Sequence, residues 1–135
     1  MKEHNLIIRY FRNKVLINDL YTNIIQSLSD KDYNSNLKSL FDFREAEFNI
    51  DMDEIRIFAD NIRKHPSLQT KRIIVFLTHT PNQVVFSNLL ESFQKYKRFQ
   101  IHTVSGIDTA ISQFGIKKSV RTLIEEAINN MKSST

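Results

Sequence analysis

The sequence predicts an α/β domain: a mixed, partly parallel sheet of four to five strands, flanked by helices and followed by an extra C-terminal helix. Three observations predict it. Strand-like and helix-like runs alternate from Leu37 onward. The stretch Ile73-Ile74-Val75-Phe76-Leu77 is continuously apolar, as a strand covered on both faces must be. Two late strand–helix–strand crossovers demand parallel neighbours joined with one hand.

The first elements are two short apolar, β-branched and aromatic runs, Leu6 to Phe11 and Val15 to Ile17. Arg12-Asn13-Lys14 lies between them, so a hairpin is expected. Ile17, Leu20, Tyr21, Ile24, Ile25 and Leu28 then follow the spacing of one helical face, with Asn18 or Asp19 as cap. Polar residues from Ser29 to Asn36 end that helix. Leu37 to Phe43 reads as the next strand. Asp51-Met52-Asp53-Glu54 has the form of a capping box opening a helix whose inner face is Met52, Ile55, Phe58, Ala59 and Ile62. His65-Pro66 stops it, because the residue before proline avoids the helical region.

After the apolar strand at Ile73 to Leu77, Thr80-Pro81-Asn82-Gln83 opens another helix. Thr80 serves as cap, proline takes the first position and Gln83 the third. Val85, Phe86, Leu89, Leu90 and Phe93 form its inner face. Phe99 to Val104 is a strand, and Ser105-Gly106-Ile107-Asp108 caps a short helix that Gly115 closes in the left-handed conformation. The last helix, from about Ser119 to Met131, carries Val120, Leu123, Ile124, Ala127, Ile128 and Met131 on one face. The expected order is β-β-α-β-α-β-α-β-α-α. The 135 residues make one domain, with a core over about 5–114 and the added helix over about 117–132.

Composition bounds the function. The chain has no cysteine, which excludes disulfides, thiolate nucleophiles and Cys-based metal sites. No run is long and apolar enough to span a membrane, and the start lacks the apolar core of a secretory signal, so a cytoplasmic location is expected. The formal net charge is +4. The small basic groups (Lys64, Lys71 and Arg72; Lys95, Lys97 and Arg98; Lys117, Lys118 and Arg121) sit near helix ends. Cations there oppose the helix dipole, so they read as solvated charge rather than a nucleic-acid footprint.

With Leu40-Phe41-Asp42-Phe43-Arg44-Glu45-Ala46-Glu47-Phe48, this element order resembles STAS-like domains over about residues 5–114. That group includes anti-sigma-factor antagonists, the cytoplasmic tails of sulfate transporters and small bacterial STAS-like proteins with an Asp-hydrophobic-Arg-x-Ala-x-Phe strand. The resemblance implies a regulatory module without catalysis that works by protein–protein contact. In the antagonists, a serine at the start of the next helix is phosphorylated, and the added charge breaks docking to a kinase. The matching positions here, Asn49 to Asp53, hold no serine. Asp51 and Asp53 read as helix-capping carboxylates, so a phospho-switch is not carried over.

Chemistry, if present, belongs beyond the carboxyl ends of the parallel strands. Those ends supply Asp42, Arg44, Thr78, His79, Thr80 and Ser105. Two helix N-termini point backbone N–H groups there, so a small anion or polar ligand is one reading. The other is structural: Thr80 and Ser105 cap helices, Asp42 and Arg44 pair with each other, and His79 is solvated. If Arg44 is a ligand residue, Arg44→Ala leaves the fold nearly intact and weakens anion binding. His4, His65, His79 and His102 show no metal-ligand spacing, and no phosphate loop, dinucleotide fingerprint or nucleophile elbow is present. No enzyme activity, metal or cofactor is expected. The ten phenylalanines read mainly as core, with an apolar ligand as the rival. The last helix needs a cover for its apolar face, either its own sheet or a second copy. The expected partner is another protein or this chain itself, with an anionic or apolar small ligand as alternative, and neither nucleic acid nor a membrane.

Overall fold

The computed structural model describes residues 1–29, 37–49, 51–64, 72–92 and 99–134. Among these, a 3-10 turn at Lys2–His4 precedes strand β1 (Leu6–Lys14), and helix α1 (Ile17–Ser29) follows it. Then come β2 (Lys38–Glu47), α2 (Met52–Lys64), β3 (Arg72–Leu77), α3 (Pro81–Ser92), β4 (Phe99–Val104) and α4 (Ile107–Phe114). A second 3-10 turn, Lys118–Val120, leads into α5 (Arg121–Ser133).

The four strands stand in the order β1-β2-β3-β4, and every pair is parallel. This corrects two expectations. The sheet is not mixed, and the hairpin does not form: Leu6 to Lys14 is one strand, and Ile17 opens α1. Asn13 stays within the strand at φ 60, a left-handed conformation that asparagine tolerates. Asn18 and Asp19 therefore lie inside the first turn of α1 instead of capping it.

Chain order equals spatial order, so α1, α2 and α3 all cross on one face of the sheet. There they bury Leu20, Ile24, Ile55, Phe58, Ile62, Phe86 and Leu90 against Phe41, Phe43, Ile74 and Phe76. The opposite face carries Leu6, Ile8, Leu40, Val75 and Leu77 under Ile107, Ile111 and Phe114 of α4 and Ile124 and Ile128 of α5. The last helix thus packs on its own sheet. β3 lies between β2 and β4, with Val75, Phe76 and Leu77 fully buried, as its continuous apolar run requires.

One irregularity shapes the C-terminal edge of the sheet. Tyr10 faces Asp42, but Arg12 faces Glu45, so Phe43 and Arg44 together oppose Phe11. This bulge moves the side-chain alternation by one residue. Ala46 and Phe48 consequently join Phe41 and Phe43 on the α1–α3 face. Phe43 becomes the hub of an aromatic cluster, 4.9 Å from Phe76 and 5.0 Å from Phe48, and Phe48 stacks on Phe86 at 4.1 Å. Burying a phenylalanine this fully contributes about 1.5–3 kcal/mol.

Three expected inward residues point out instead: Met52 (44% exposed), Val85 (45%) and Leu123 (44%). In α3 the row facing the sheet is Gln83, Phe86, Ser87 and Leu90, half of it polar. Arg72, expected to be solvated, is buried, and loss of water pushes its pKa down. The expected roles of Pro66, Phe93 and the Lys95–Arg98 group lie outside the described residues. Gly115 closes α4 at φ 68, as anticipated.

Candidate functional site

The carboxyl ends of β3 and β4 mark where the connections change face. α3 leaves β3 for the layer of α1 and α2, while α4 leaves β4 for the opposite layer. Adjacent strands that diverge this way open a crevice between their ends. Thr78, His79, Thr80 and Ser105 sit there, and Asp42 and Arg44 lie one strand over. The topology therefore gathers all six sequence-predicted residues at one edge.

Their polar groups are largely bonded to one another. Buried Thr78 donates its backbone N–H (2.9 Å) and its Oγ1 hydroxyl (3.0 Å) to the Val104 carbonyl, joining the two strand ends. Asp42 is fully buried. Its Oδ1 accepts the Arg44 backbone N–H at 3.0 Å, and the Arg44 guanidinium grips both carboxylate oxygens at 3.0 and 2.9 Å. The carboxylate thereby stabilises the bulge, and its hydrogen bond raises the Arg44 pKa. The exposed ring of His79 takes no partner among the described residues. Ser105 is exposed and does not cap α4: the cap is Gly106, extended and without a side-chain bond.

Gln83 ties this edge together. Its Oε1 accepts the N–H groups of His79 (2.6 Å) and Thr80 (3.0 Å), while its own N–H reaches Thr80 Oγ1 at 3.4 Å. That is the expected capping box. Its Nε2 also donates to the carbonyls of Arg44 (3.1 Å) and Ala46 (2.9 Å). The β2–β3 register ends at Asp42 and Leu77, so the Gln83 amide takes over where β3 stops. The box was legible in the sequence. The second pair of bonds was not, because nothing local links Gln83 to β2.

A second charged group sits on the α5 face. Glu45 accepts from Tyr10 Oη at 2.6 Å and from Lys132 Nζ at 2.8 Å, and that ammonium lies 5.6 Å from the Tyr10 ring centre. Lys132, then Tyr10, holds the Glu45 carboxyl below the ordinary range; partial burial, then the bond to Glu45, raises Tyr10. This group anchors the end of α5 to β1 and β2.

The apolar open space lies elsewhere. A groove of about 430 Å³ runs between α1 and α2, lined by Leu16, Ile17, Tyr21, Ile57 and Phe58 with Asn18, Glu54 and Asn61. A recess of about 230 Å³ at the ends of β1 and β2 shares Leu16, Ile17 and Glu54 with it and reaches Phe48 and Phe86. Leu16 is 56% exposed and Ile57 60%. Glu54 is the carboxylate that lines both spaces; Asp51 caps α2, and Asp53 pairs with Arg56 at 3.8 Å. The sequence does carry a signal for this place: Ile57 is an apolar residue off the buried row of α2. Within the aromatic core, by contrast, the space among Ile24, Phe58, Phe76 and Leu90 is about 10 Å³, too little for a ligand.

Among the described residues, no cluster of histidine, aspartate or glutamate could hold a metal ion, and no helix is long and apolar enough to cross a membrane. Comparison with protein-family models, curated proteins and solved structures finds no match.

Proposed function

We propose that this chain is a non-catalytic binding or regulatory module that acts through protein–protein contact, with the α1–α2 groove as its docking surface. The observation that carries this reading is the pair Leu16 and Ile57, held more than half exposed over a trough floored by aromatic and aliphatic side chains. Solvated apolar residues grouped in a concave site favour a partner that covers them. The occupant is a protein segment with an apolar anchor and a cationic flank. Glu54, which lines both the groove and the recess, supplies the complementary charge. At the strand ends Asp42, Arg44 and Thr78 serve the reading as scaffold, since their polar groups are engaged internally. The STAS-like reading rests on the element order over about residues 5–114, whose opening hairpin and mixed sheet do not form, and on the Leu40 to Phe48 segment; the proposed role does not depend on it.

A second reading is a small apolar ligand in the same trough, whose volume suits one. A photo-crosslinking residue at Ile57, tested in the native cell, separates the two. A protein adduct at Ile57, absent when the crosslinker replaces Leu123, supports docking when the purified pair also binds and Ile57→Asp abolishes binding. An extractable lipid-like adduct favours the second reading. No adduct of either kind refutes both.

A further inference from the structure

The two ends of the sheet are built differently. The β1 edge carries Arg9, Arg12 and Lys14, the left-handed Asn13 and a bulge in the strand beside it. Charge and irregularity of this kind discourage another strand from pairing. β4 has none of these. Phe99–Val104 holds no lysine, arginine, acid or proline, and its register with β3 runs unbroken from Arg72 and Phe99 to Leu77 and Val104.

The hydrogen bonds show which groups β4 leaves outside. The Val104 carbonyl accepts from Thr78, so the backbone of that residue faces β3. Strand alternation turns His102 and Gln100 the same way and directs the N–H and C=O of Ile101 and Thr103 outward. Among the described residues no strand pairs with that side. Ile101, His102 and Thr103 are all half-buried, leaving side-chain surface for a neighbour to cover.

We propose that the chain forms a two-fold dimer in which β4 pairs antiparallel with β4 of a second copy, making one continuous sheet. The occupant follows from the contrast between the edges. Pairing β4 with β1 of another copy would meet cationic side chains and would leave free edges for further addition. Pairing β4 with itself closes after two copies and opposes no like charges. The alternative dimer face, α5, already has its apolar row on its own sheet.

Sedimentation velocity over a wide concentration range, with Thr103→Pro beside wild type, tests this. Proline there removes an outward N–H while leaving the inner ladder to β3, which an edge strand accommodates. The expected result is a wild-type dimer and a Thr103→Pro monomer with a native circular-dichroism spectrum. Amide exchange on the wild type gives an answer even if the variant fails to fold. The Ile101 and Thr103 amides should lose their fast exchange as concentration rises, while the His102 amide is protected throughout. A wild-type monomer at every concentration overturns the proposal. So does a dimer whose Ile101 and Thr103 amides stay unprotected, or protection that arises only on adding a different protein.

Discussion

Replacing Gln83 by leucine removes four side-chain hydrogen bonds at once: two accepted from His79 and Thr80, two donated to Arg44 and Ala46. A net contribution of about 1 kcal/mol per bond puts the loss near 4 kcal/mol. Leucine recovers about 1 kcal/mol through its greater apolar burial at a site that is 1% exposed, so a net cost of about 3 kcal/mol is expected. Domains of this kind have about 5–15 kcal/mol in total, so the change is large. With a urea slope of about 2 kcal/mol per molar, the unfolding midpoint moves down by about 1.5 M. Thr80→Ala is the internal control. It removes only the 3.4 Å bond to the Gln83 N–H and should cost about 0.5 kcal/mol. Gln83→Glu discriminates further, since its carboxylate would face two carbonyls; its cost should match or exceed that of leucine at neutral pH and shrink in acid. Equal midpoints for Gln83→Leu and wild type, or for Gln83→Leu and Thr80→Ala, would show that the amide does not bridge the two strands' ends.

The other predictions concern the buried pair, the last helix and pH. Arg44→Ala, which the ligand reading of the sequence treats as structurally mild, instead strands the fully buried Asp42 carboxylate. It should cost about 3 kcal/mol by urea denaturation, with Asp42→Ala/Arg44→Ala costing less than the sum of the singles. Ile124→Ala, at a fully buried site, should lose about 2–5 kcal/mol, whereas Leu123→Ala, 44% exposed, should stay within about 0.5 kcal/mol of wild type. Equal losses would mean that α5 is rotated from the orientation described. The Glu45 carboxyl titrates below its ordinary value because Lys132 and Tyr10 donate to it, so its small stabilising contribution is present above the unfolded-state pKa and fades as acid protonates the folded state. Carboxyl NMR should show that titration moving upward toward the ordinary value in Lys132→Met; an unchanged titration would remove Lys132 as the main cause.

Much of this architecture is legible in the residues because local patterns decide it. β3 is continuously apolar, the Thr80–Gln83 box opens α3, and Gly115 closes α4. The failures have physical causes. Arg12-Asn13-Lys14 looks like a turn because it is polar and contains asparagine, yet the strand continues there with its side chains in water. Apolar spacing phases the inner face of α3 onto Val85, because Gln83 and Ser87, which face the sheet, are polar. A fully hydrogen-bonded glutamine can occupy such a row, but its partners, Arg44 and Ala46, are 39 and 37 residues away. At the strand ends the sequence brings the six residues to one edge and offers an Asp42–Arg44 pair as one of two readings, which the structure shows; the bond from Thr78 to the Val104 carbonyl is not legible, because its partner is 26 residues away. The groove on α1 and α2 leaves only a faint mark in the sequence, since Leu16 and Ile57 are apolar residues off the buried stripes and no local pattern links one to the other.

A sheet laid down in chain order lets each strand dock as it is made, directly on its predecessor. The α5 contact with β1 is the exception, because it links the newest helix to the oldest strand. During synthesis one side of the growing sheet must therefore stay bare through four strands and three helices, until α4 covers part of it and α5 folds back over the rest. The late arrival of that cover makes the nascent chain most exposed to unwanted association just before α5 emerges, and makes α5 the element whose loss would leave a folded remnant prone to aggregate.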